Sequence, residues 1–67
     1  MIKVEKQLHV PNSRMTLLCF DSDIPNNRFT RLVIDGKEYK PIIAYDIKNA
    51  YAIEATGVFE GKEVLFV

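Results

Sequence analysis

Apolar and polar positions alternate from the first residues of the chain. Ile2, Val4, Leu8 and Val10 fall on one side of an extended segment, and Lys3, Glu5, Gln7 and His9 fall on the other. This two-residue period is that of a half-buried strand. Lys6 alone breaks it, and its long stem can reach solvent from a sheet end. Pro11-Asn12-Ser13 then supplies turn chemistry. Met15 to Phe20 is apolar apart from Thr16, which predicts a strand covered on both faces.

Asp21 to Asn27 holds almost every turn-forming residue type and is the longest loop expected. A third strand over Phe29 to Ile34 leads into Asp35-Gly36, and a fourth runs from Glu38 to Tyr45. Asp-Gly between apolar-rich runs is a strong two-residue hairpin signal, because that turn needs positive φ at its centre. The hairpin sets Ile34 opposite Lys37, Val33 opposite Glu38 and Leu32 opposite Tyr39. Continued outward, it sets Arg31 opposite Lys40 and Phe29 opposite Ile42. Pro41 lacks a ladder donor, so the fourth strand belongs at an edge or bulges there. A second turn is expected from Asp46 to Asn49, then strands over Ala50 to Ala55 and Lys62 to Val67, with Val58-Phe59 between turn signals at Gly57 and Glu60-Gly61. Residues 42–55 also admit a helix, since Ala44, Ile47 and Tyr51 have helical spacing; recurring β-branched and aromatic residues favour strand.

The expected fold is all-β: one domain over residues 1–67, with five to six short antiparallel strands forming a small barrel or tight two-layer sheet, SH3-like or OB-like in shape. Its core draws on Val4, Leu8, Val10, Leu17, Cys19, Leu32, Ile34, Ile43, Tyr51, Ile53, Val64 and Phe66.

Composition narrows the function classes. Nine basic and nine acidic side chains cancel, which removes the general electrostatic case for nucleic acid or an anionic membrane. The single cysteine excludes an intrachain disulfide, and no apolar run approaches a membrane span. The first residues lack the apolar centre of a signal peptide. A cytoplasmic location is the expectation.

Candidate chemistry is sparse. His9 has no second histidine or nearby cysteine to complete a metal site. Cys19 sits among leucines and phenylalanine, where a thiol behaves as a small hydrophobe. Asp21 and Asp23 begin like a calcium loop, but Asn26 and Leu32 stand where such a loop needs glycine and glutamate. The glycines are isolated, so no phosphate-binding loop is present. No catalytic, cofactor-binding or metal-ligating set is expected, and the isolated chain does not read as an enzyme.

What remains is binding. The chain carries more apolar side chains than one face of a small sheet can hide, with the excess in Met15 to Phe20 and Val64 to Val67. The leading expectation is a non-enzymatic protein-interaction module that self-associates through an edge strand as a homodimer. The alternatives are a small barrel that binds single-stranded nucleic acid through Arg28, Arg31, Tyr39 and Lys40, and an accessory subunit of a larger enzyme. Arg28, Arg31, Tyr39, Lys40, Leu65 and Val67 are the candidate interaction residues.

Overall fold

The computed structural model describes residues 1–24, 29–43, 47 and 49–67. The fold is all-β, with seven short strands among the described residues: β1 (Ile2–His9), β2 (Thr16–Phe20), β3 (Leu32–Ile34), β4 (Lys37–Tyr39), β5 (Ile42–Ile43), β6 (Ala50–Ile53) and β7 (Glu63–Phe66). They form one sheet in the order β4-β3-β7-β1-β2-β6-β5, every neighbouring pair antiparallel.

One more strand is present than the sequence pattern suggests, and Pro41 explains it. The expected fourth strand splits at Lys40-Pro41 into β4 and β5, which lie at opposite edges of the sheet. Proline lacks the donor a ladder needs and disfavours helical backbone before it, so the chain leaves one neighbour and joins another here. Phe29 therefore does not face Ile42, which pairs with Ala52. Among the described residues from 42 to 55 there is no helix; Ala44, Tyr45, Asp46 and Lys48 lie outside them.

This split also dictates the shape. Laid flat, seven strands would hold their outer edges about 29 Å apart. Three residue steps from Tyr39 to Ile42 span at most about 11 Å. The sheet is accordingly rolled into two tight layers, although its ladder does not close into a barrel. Val4, Leu18, Phe20 and Ile53 project from one layer onto Leu32, Ile34 and Val64 of the other, with Phe59 completing the core. Edge-to-face rings run from Phe20 to Phe66, Phe29 and Tyr51, at centroid separations of 5.4, 5.0 and 5.5 Å.

The Asp35-Gly36 turn forms as expected. Both residues have positive φ, 53° and 78°, and the register pairs Ile34 with Lys37, Val33 with Glu38 and Leu32 with Tyr39. A Cβ on Gly36 would meet no atom within 4 Å, so the demand for glycine comes from the backbone alone. Gly36→Ala is expected to cost about 1 kcal/mol in equilibrium denaturation. No loss at all would show that the turn does not hold this geometry in solution.

The first strand departs from its simple alternation. Val4 pairs with Phe20 but Lys6 pairs with Cys19, so Glu5 is an extra residue in a β-bulge. A bulge shifts the side-chain phase of all that follows. Val4 points into the core, whereas Leu8 and Val10 turn outward, Leu8 remaining 64% exposed. On β2 the inward positions are Thr16, Leu18 and Phe20, and Leu17 and Cys19 are half-buried. The core therefore gains Leu18, Phe20 and Phe59 and loses Leu8, Val10, Leu17 and Cys19. The side chain of Ile43 lies outside the described residues.

Candidate interaction surfaces

Three outward features follow from this architecture. The first is an open groove of about 470 Å³ lined by Thr30, Arg31, Glu38, Tyr39 and Lys40. It brings together three of the residues singled out in the sequence, Arg31, Tyr39 and Lys40; Arg28 lies outside the described residues. The charges do not sum to a basic spot. Arg31 forms an ion pair with Glu38, a residue of the facing strand. Tyr39 is half-buried, its ring edge-on to Phe59 at 5.7 Å. A base-stacking platform needs an open aromatic face, and this ring is engaged in packing.

The second feature is the outer side of β3 and β7. Leu65 stands opposite Val33, and Leu65 and Val67 are 54% and 63% exposed. The last residue is held by its backbone: Val67 accepts from the amides of Thr30 and Arg31 and donates to the Arg31 carbonyl. The apolar excess at Val64 to Val67 does not form an open edge, because β7 is paired on both sides, with β1 and β3. The Met15 to Phe20 strand is likewise internal, between β1 and β6. The true edges are β4 and β5. One carries Lys37 and Glu38 and the other is two residues long beside Pro41, features that protect an edge against further pairing.

The third is the outer face of β1, β2, β6 and β5, which the sequence pattern did not single out. Residues directly opposite on antiparallel strands share a face. Leu8 pairs with Leu17, Leu17 with Ala52, and Ala52 with Ile42. One apolar row thus crosses four strands, with Ala52 in its middle buried within the single copy. Leu8 and Ile42 at its ends are exposed. Val10 and Met15, joined by a 2.9 Å backbone bond, extend it on one side; Cys19 extends it on the other, opposite Lys6. The signal that could have revealed the row was Lys6 itself: a lysine at an expected core position marks the place where the phase changes.

The remaining polar groups serve the fold. Gln7, turned inward by the bulge, bonds through its side chain to the Gly57 carbonyl at 2.7 Å and to the amides of Phe59 and Glu60 at 2.5 and 3.0 Å. Asp21 accepts from the Lys3 amide at 3.0 Å, which is the main reason its carboxyl sits below the ordinary aspartate range; the Ser22 hydroxyl adds to it. Asp23 accepts from Asn49. These aspartates are tied to the protein itself, and no group of three metal-ligating side chains occurs among the described residues. His9 faces Thr16 across the ladder, while Cys19 faces Lys6, so the two do not form a nucleophile and base. Among the described residues, no helix is long and apolar enough to cross a membrane.

No family model, curated protein or solved structure matches the chain.

Proposed function

We propose that this chain is a non-enzymatic protein-interaction module that self-associates through the outer face of β1, β2, β6 and β5, in a reducing compartment such as the cytoplasm. The observation that carries this reading is the Leu8–Leu17–Ala52–Ile42 row, which is exposed at Leu8 and Ile42, half-buried at Leu17 and buried at Ala52. Leu8 keeps most of its apolar surface in water and Ile42 about a third of its own, and exposed apolar surface rimmed by polar residues marks interaction sites. Face-to-face association replaces edge pairing here, because both edges are short and guarded. A half-exposed free thiol at Cys19 fits a compartment that keeps thiols reduced.

The field measures roughly 15 by 14 Å between its outermost Cα positions. Such a face falls at the low end of specific interfaces, below about 1,200 Å² buried in total. The association is expected to be weak, with a Kd on the order of 100 µM. Sedimentation equilibrium from low to high micromolar concentration should show a concentration-dependent dimer. Leu8→Glu should abolish it, whereas Leu65→Glu, at a leucine of comparable exposure on the other outer surface, should leave it intact. A monomer throughout, or equal sensitivity at both positions, overturns the proposal.

A further inference from the structure

We infer that β4 is a docking edge for an extended acidic peptide, which adds to the sheet as a further strand beside it. This edge lies apart from the face proposed for self-association. Among the described residues, β4 has β3 as its single neighbour in the sheet. The ladder shows what the far side of β4 presents. Arg31 and Val67 exchange both backbone bonds. By alternation along β3, Val33 bonds toward Leu65 on β7 and away from Glu38 on β4. The bonded pairs of the hairpin are then Ile34 with Lys37 and Leu32 with Tyr39. Glu38 therefore turns its amide and its carbonyl outward, where neither meets a backbone partner among the described residues.

Two hollows flank this edge. Glu38 and Lys40 line the groove of about 470 Å³ together with Arg31. Lys37 lines a second cleft, of about 220 Å³, together with Ile34, Val58 and Phe59. Tyr39 borders both. Successive side chains of an added strand point to opposite faces, so they enter the two hollows in turn. Strand addition takes its affinity from main-chain bonds and its specificity from such alternate pockets. Charge selects the occupant. Glu38 is taken up by Arg31 and Asp35 by Lys62. Lys37 and Lys40, one at each hollow, join no ion pair among the described residues. Lysines on an edge guard it against another copy of itself, yet they complement a strand that carries carboxylates. The cleft also offers Val58, 74% exposed, and the edge-on rings of Tyr39 and Phe59. The fitting peptide thus alternates acidic side chains, for the groove beside Lys40, with apolar ones, for the cleft.

The test is an NMR titration of the full chain with a capped pentapeptide of alternating glutamate and valine. Binding is expected with a Kd on the order of 500 µM, as suits so short an edge. With the peptide near saturation, hydrogen exchange at the Glu38 amide should slow roughly fivefold. The Tyr39 amide, already bonded to β3, should keep its rate. Lys40→Glu should weaken binding roughly tenfold by setting like charges together. Leu8→Glu, on the face proposed for self-association, should bind as the wild type does. An unresponsive spectrum at about 5 mM peptide, ten times that Kd, overturns the docking edge. Equal binding of a lysine–valine peptide overturns the acidic partner. Binding that leaves Glu38 exchange unchanged, or that Leu8→Glu abolishes, puts the peptide elsewhere and overturns strand addition.

Discussion

Replacing Gln7 with alanine is expected to destabilise the fold by about 2–3 kcal/mol, more than any other change at a polar residue of β1. Three hydrogen bonds end on its carboxamide, one donated to Gly57 and two accepted from Phe59 and Glu60. Each contributes about 1 kcal/mol net, and the larger loss comes from leaving partners unpaired beside a core group. Phe59 is such a group: its ring is buried and touches Tyr39 edge-on. Gln7→Glu separates the two roles. A carboxylate still accepts from both amides but faces the Gly57 carbonyl without a proton to donate, so this variant should also lose stability. Leu8→Ala, by contrast, should stay within about 1 kcal/mol, since most of that side chain is already in water. Urea denaturation of the three variants decides the matter. If Leu8→Ala costs more than Gln7→Ala, β1 keeps its unbulged phase and the outer apolar face does not exist.

That contrast also locates what could be read from the sequence. The Asp35-Gly36 register was legible because a two-residue turn fixes pairing locally, through backbone conformations that few residues tolerate. The break at Pro41 was legible for a similar reason: the missing donor is a property of one residue. What lay beyond Pro41 was not, because sending β4 and β5 to opposite edges of the sheet is a property of the whole topology. The bulge at Glu5 showed in the sequence only as Lys6 at an expected core position, which marks a change of phase without fixing where the extra residue sits. It lets Val4 and Gln7 both turn inward, toward a core and a loop that come from the far end of the chain. The groove shows a third kind of limit. Register brought Arg31, Tyr39 and Lys40 together, yet the side chain of Arg31 chose Glu38 and Tyr39 chose Phe59, choices that alternation along a strand does not specify.

Two adjacent leucines on β2 give the sharpest separation of folding from binding. Leu18 is fully buried, between Gln7 and Tyr51 in the ladder. Truncation to alanine removes its transfer energy and leaves a cavity, at about 3–5 kcal/mol. A 67-residue domain has a total stability of roughly 3–10 kcal/mol, so Leu18→Ala should leave much of the population unfolded at room temperature. Leu18→Val keeps the effect measurable in a folded protein, at about 1 kcal/mol. Leu17, half-buried on the opposite face between Leu8 and Ala52, should cost about 1 kcal/mol as alanine. That variant should keep the native circular dichroism spectrum yet dimerise less well than the wild type. The continuous apolar run of β2 does not reveal which leucine is which, since it offers no polar position to set the phase. Equal destabilisation by Leu17→Ala and Leu18→Ala would mean that β2 is covered on both faces within a single copy. The outer face would then have no surface to offer a partner, and the protein-interaction proposal would fall with it.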